Sequence, residues 1–155
     1  MSLKRELWKP CPGYEGRYLV SSLGKIMTLG RRVWRGERMK WYFRKGRLLK
    51  LGKHKDGYWI TTLTKNGTSK LFLVHRLVLE AYVGPCPFGM EGLHRDGNGL
   101  NNDYRNLRWG THQQNVCDSI RHGTHRAPAG EMNGNSKLTS GEVVELRRMY
   151  ATGLY

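Results

Sequence analysis

The chain reads as an α+β protein: a region of small antiparallel β-sheets, then a strand–loop–strand–helix unit, then a C-terminal helix. Short β-type runs broken by turn residues fill the first half. A loop rich in Asp, Asn and Gly joins two further β-type runs, 91–94 and 107–109. Two later segments carry apolar residues at helical spacing behind capping residues. Three divisions follow: 1–55, 56–123 with a core unit at 91–123, and 124–155.

In the first division, arms at 17–20 and 25–29 flank a reversal at Ser21-Ser22-Leu23-Gly24. Residues 1–55 hold 16 Lys and Arg against three Glu, so +13 of the net +15 lies there. Such a density is the footprint of a nucleic-acid surface rather than of a merely solvated one. Trp34, Trp41, Tyr42 and Phe43 interleave with the charge, and at least two of them are expected in a small-sheet core instead of on a stacking platform. Strands are expected at 41–43 and 48–51, with Arg44-Lys45-Gly46-Arg47 as an exposed turn between them. Arg31, Arg32, Arg35, Arg44, Lys45 and Arg47 are the candidate phosphate contacts, which position a protein without reading sequence.

The second division opens on a hairpin, 58–65 and 69–74, turned at Asn66-Gly67. A helix follows at 75–83, where Leu77, Val78, Ala81 and Tyr82 repeat at helical spacing before Gly84-Pro85. His75, at the junction, reads as a structural hydrogen-bonding residue. In the unit at 91–123, Thr111 and Gln114 form a capping box and Gly123 supplies the C-terminal stop after His122. His94 ends the first strand, Asn106 starts the second and Asn115 lies in the first turns of the helix. Asn106 is expected to hold the His94 ring, because an amide partner fixes the tautomer that general-base work needs. The Asn115 amide oxygen suits a hard cation such as Mg²⁺ or Mn²⁺. Asn98 and Asn102 read as loop-builders, and Asp96 either bonds the loop backbone or tunes the site. Trp109 is expected as core. Arg95 and Arg108 either hold a phosphate or line the groove. His112, His122 and His125 match no zinc spacing.

Residues 124–136 look like a linker. Thr139 and Glu142 then cap a helix whose face carries Val143, Leu146 and Tyr150, ending at Gly153. Cys11, Cys86 and Cys117 form neither a CxxC pair nor a disulfide framework and are expected as free thiols. No apolar run reaches the ~18 residues of a membrane span, and no apolar signal region opens the chain, so an intracellular, cytoplasmic protein is expected.

The segment from Val74 to Asn115 resembles the HNH nuclease motif of phage and intron-encoded endonucleases. The resemblance rests on Val74-His75-Arg76-Leu77-Val78, His94, Asp96-Gly97-Asn98, Asn101-Asn102, Asn106-Leu107, Trp109, Thr111 and Asn115. It implies a ββα-metal finger in which His94 activates water, Asn106 orients it and Asn115 binds one divalent ion, Mg²⁺ or Mn²⁺. It also implies double-stranded DNA as partner and, for a monomer, a nick in one strand; a homodimer would be needed to cut both. Relatives often carry Asp before the first His, where this chain has Leu93. Either Asn115, phosphate and waters suffice, or Asp96 or His112 helps, or catalysis is impaired and the chain only binds DNA. A basic RNA-associated protein is a third reading. Trp8 and the run Gly13-Tyr14-Glu15-Gly16-Arg17-Tyr18-Leu19-Val20-Ser21 are similar to the short module that precedes many such nucleases. The C-terminal helix resembles the first helix of a helix-turn-helix, whose second helix reads bases; the sequence stops before a second helix, so either a fragment or a protein without that reader is expected.

Overall fold

Helix α1 (Val74–Tyr82) anchors the first of two compact units, 1–123; the second is 124–155. The structure, a computed structural model, describes residues 5–36, 40–124, 133 and 135–152. Val74, Leu77, Val78 and Leu79 of α1 are fully buried and join Val20, Ile26 and Leu63 in one cluster. Burying each such side chain is worth roughly 1.5–3 kcal/mol. One short helix thereby ties separate small sheets together.

All strand pairings are antiparallel. β1 (Trp8–Pro10), β2 (Tyr18–Ser21), β3 (Ile26–Thr28) and β6 (Arg47–Leu48) form a sheet in the order β1-β2-β3-β6. β4 (Arg31–Arg35) and β5 (Lys40–Arg44) pair with each other as a hairpin. β7 (Gly52–Lys53), β8 (Trp59–Lys65) and β9 (Thr68–Leu73) form the next sheet. Its turn is as expected: Asn66 and Gly67 have φ of 52° and 78°, the left-handed pair that a type I′ hairpin needs. β10 (Met90–His94) and β11 (Leu107–Thr111) form a ribbon on which α2 (His112–Arg121) packs. This is the expected strand–loop–strand–helix unit.

Two expectations on the basic region are corrected. The strand foreseen at 48–51 stops at Leu48. Leu49 still bonds Ile26 through its backbone, and Leu49 and Leu51 then pack on the core as the chain crosses to β7. The aromatics are not core: Trp34, Trp41 and Phe43 are 47%, 60% and 64% exposed. Among the described residues β4 and β5 pair only with each other, and Arg32, Trp34, Trp41 and Phe43 share one face of that two-stranded sheet.

In the second unit α3 (Ser140–Thr152) begins with the expected reciprocal cap. The Thr139 N–H donates to Glu142 Oε2 at 2.7 Å, and the Glu142 N–H to Thr139 Oγ1 at 3.2 Å. Val143 and Leu146 are half-buried, whereas Tyr150 is exposed. All three cysteines are free thiols, and burial pushes the Cys11 thiol up to about 12. His125, much of the linker and Gly153 lie outside the described residues. Among the described residues no helix is long and apolar enough to cross a membrane.

Candidate active site

The β10–β11 ribbon places His94 opposite Leu107 at its open end, where the polar loop begins. Strand alternation divides β10 into two faces. Gly92 and His94 face α1. A Cβ on Gly92 would meet His75 Cδ2 at 2.8 Å and Leu79 Cδ1 at 3.0 Å, so glycine is what lets α1 come this close. The His94 ring sits among Tyr58, stacked at 5.8 Å between centroids, and His75, edge-on at 5.0 Å.

His94 is 8% exposed. Burial lowers its pKa; the hydrogen bond to Asn102 and the nearby Asp96 carboxylate oppose that, and the net direction is downward. The ring is therefore neutral at neutral pH, as a general base must be. Its Nε2 lies 3.3 Å from Asn102 Oδ1. An amide oxygen only accepts, so this contact is a hydrogen bond in the tautomer that carries the proton on Nε2 and leaves the lone pair on Nδ1.

Here the structure departs from expectation. Asn102, foreseen as a loop-builder, is the ring's partner. Asn106, foreseen as that partner, holds the loop. Asn106 Oδ1 accepts from the Asp96 N–H at 3.2 Å, and its Nδ2 donates to Asp96 Oδ1 at 2.9 Å and to the Asn101 carbonyl at 3.0 Å. Asp96 also accepts from the Asn98 N–H at 2.9 Å and from Asn101 Nδ2 at 2.6 Å. Burial pushes the Asp96 carboxyl up, but these donors outweigh it and hold it below its ordinary range. Asp96 thus builds the loop with three of its carboxylate's roughly four lone-pair sites, two on Oδ1 and one on Oδ2, and the metal role expected of it would fall to the remaining site on Oδ2. Asn98 is the Asx residue foreseen, accepting from the Leu100 N–H at 3.0 Å. The reason is local: a loop dense in Asx residues satisfies its own backbone first.

Glu91 and Leu93 are on the other β10 face. Leu93 is buried on the face that α2 covers: a Cβ on Gly110 of β11 would approach both Leu93 Cδ1, to 2.5 Å, and Gln114 Oε1 of α2, to 2.7 Å. The Thr111–Gln114 capping box starts α2 as the sequence foresees. That start brings two residues to Glu91. Asn115 Nδ2 donates to Glu91 Oε2 at 2.9 Å, and His112 Nδ1 lies 3.1 Å from Glu91 Oε1. Glu91 was not singled out by sequence, although the period-2 pattern puts it on the face of Leu93.

The oxygens fit a hard divalent ion. With its nitrogen given to Glu91, Asn115 has no bond at Oδ1 among the described residues, so that oxygen could take a cation, and the Glu91 carboxylate adjoins it. Leu93 offers nothing. Among the described residues no group of three or more His, Cys, Asp or Glu side chains could enclose an ion, so phosphate and water would fill the remaining positions.

Of the candidate phosphate contacts, Arg31, Arg44, Lys45 and Arg47 line one cleft beside Thr28 and Thr62. Arg32 lies on the aromatic face of the hairpin, opposite Phe43. The Arg35 side chain lies outside the described residues. Arg95 is exposed, and its carbonyl accepts from His122 Nε2 at 3.1 Å. The Arg108 guanidinium pairs with Asp118 and so ties β11 to α2. Trp109 is half-buried against the core and donates to the Gly84 carbonyl at 3.1 Å.

A family model for HNH endonucleases matches residues 72–117, and one for the NUMOD4 motif matches 6–64. A solved structure of DNA binding and cleavage by the HNH homing endonuclease I-HmuI superposes with a TM-score of 0.62 and 30% identity, covering 94% of this chain and 68% of that one. The chain belongs to the HNH homing endonuclease family. DNA endonuclease I-HmuI of Bacillus phage SP01 is 37% identical to it over 117 residues, 76% of this chain and 59% of that protein. The HNH endonuclease L245 of Acanthamoeba polyphaga mimivirus is 41% identical over 107 residues, 68% of this chain and 28% of its own length. This HNH chain therefore spans less than two thirds of these curated relatives. The NUMOD4 match coincides with the basic sheets, and the HNH match with α1, the ribbon and the start of α2.

Proposed function

We propose that this chain is a metal-dependent DNA endonuclease that hydrolyses one phosphodiester bond per encounter and so nicks one strand as a monomer. The observation that carries this reading is the neutral, buried His94 held by an acceptor at Nε2. Nδ1 then takes a proton from water as that water attacks phosphorus in line. Asn106 and Asp96 brace the loop between the two ribbon strands, so the strand ends stay in register. Asn115 Oδ1, oriented by the bond from its Nδ2 to Glu91, would hold a divalent ion, Mg²⁺ or Mn²⁺, which when bound would supply neutralisation of the charge that develops on the phosphate. The basic cleft of Arg31, Arg44, Lys45 and Arg47 draws in double-stranded DNA by its phosphates.

The test is conversion of supercoiled plasmid to open circle with Mg²⁺, Mn²⁺ or chelator. Metal-dependent nicking that His94→Ala lowers by at least about a hundredfold is expected. Equal nicking by both proteins would refute the assignment of the base. Leu93 favours a second reading, a DNA-binding member that has lost catalysis; salt-sensitive plasmid binding without nicking in either metal would establish it.

A further inference from the structure

The reversal of the N-terminal module lies directly against the residue that holds the base. Between β2 and β3, Gly24 has φ of +86°, and a Cβ built there would stand 2.4 Å from the Cβ of Asn102. A backbone bond fixes this approach: the Tyr104 N–H donates to the Ser22 carbonyl at 2.9 Å. Asn102 is 4% exposed, closed in by the module on one side and reaching His94 on the other. Among the described residues the other groups around the ring make no hydrogen bond that selects a tautomer. His75 from α1 and Tyr58 from the segment before β8 meet it as rings, and Asp96 in the loop acts only through its charge.

We propose that Asn102 is a positioning residue: its side-chain oxygen fixes His94 as the Nε2–H tautomer with Nδ1 as the proton acceptor, and the Gly24 turn of the N-terminal module keeps it there. The module then does more than meet DNA. Its docking against the polar loop sets the base, so a displaced module leaves the ring free to populate both tautomers. The kinetic consequence rests on the endonuclease reading; the tautomer itself does not.

The experiment uses the full chain, ¹⁵N-labelled, with long-range ¹H–¹⁵N spectra of His94 near neutral pH and plasmid nicking in parallel. The wild type should show a protonated Nε2 and an unprotonated Nδ1. Asn102→Ala and Gly24→Ala should each show mixed tautomers. Their kcat should fall about tenfold to a thousandfold with KM unchanged, short of the ~10⁴ lost when a triad histidine is held in the wrong tautomer. Asn102→Asp keeps an acceptor and should restore the single tautomer. A protonated Nδ1 in the wild type would overturn the proposal, and so would wild-type spectra from folded Asn102→Ala. If Asn102→Ala does not fold, Gly24→Ala decides the link to the module, and unchanged His94 signals there would refute it. A wild type that shows the stated tautomer but never nicks would sink the endonuclease reading and leave the Asn102 assignment standing.

Discussion

Replacing His75 by leucine isolates one acid-sensitive element of the core. The residue is 4% exposed, and its buried Nδ1 has no protein partner among the described residues, contrary to its expected hydrogen-bonding role. Burial first, then the nearby His94 and Arg76, push its pKa down to about 3 from 6.5. Between those values the unfolded chain binds a proton that the folded chain refuses, so stability falls as pH falls. This contribution is fully present above about 6.5 and fully lost near 3. At ~1.36 kcal/mol per pH unit, going from 6.5 to 4.5 costs about 3 kcal/mol. That is a large share of the ~5–15 kcal/mol that folds an ordinary domain. Leucine fills a similar volume, has nothing to protonate and removes the orphaned nitrogen. Urea unfolding at pH 7.5 and 4.5 should therefore show a loss about 3 kcal/mol smaller in His75→Leu than in the wild type. His94, whose pKa is also lowered, acts in the same direction; because its ring meets His75 edge-on the two titrations are coupled, so the same comparison is repeated in a His94→Gln background to isolate the His75 share. Equal pH dependence in the two proteins would show that the ring is not protonation-resistant and would refute the reasoning.

Two further outcomes follow from the loop and the cleft. Asn106→Ala removes three side-chain hydrogen bonds from the loop and should cost about 1–3 kcal/mol in chemical denaturation while the His94–Asn102 bond persists; unchanged stability would contradict the bracing role. Replacing Arg44, Lys45 and Arg47 together by alanine should leave the midpoint of unfolding nearly unmoved. It should flatten the log–log salt dependence of DNA binding by up to ~0.9 for each phosphate that is no longer neutralised, and an unaltered slope would take the DNA away from this cleft.

Much of this protein was legible in one dimension because the signals are local. Asn66-Gly67 dictates its own turn through φ, Thr111 and Gln114 cap α2 through bonds three residues apart, and the strand–loop–strand–helix order follows from residue types in sequence. The charge asymmetry was likewise plain, since charge is summed and not placed. Which asparagine meets His94 was not legible. Asn98, Asn101, Asn102 and Asn106 offer the same amide, and only the closed loop, with the Gly24 turn pressed on Asn102, decides that Asn106 faces Asp96 and Asn102 faces the ring. The exposure of Trp34, Trp41 and Phe43 was equally hidden, because an aromatic's burial depends on what lies behind its strand, and among the described residues the β4–β5 hairpin pairs only with itself. Glu91 became a partner of Asn115 only when α2 was laid across the ribbon. Sequence alone determined the elements and the chemistry available; tertiary packing decided which equivalent side chains that chemistry uses, because hydrogen bonds of ~3 Å are set by distances that local spacing does not encode.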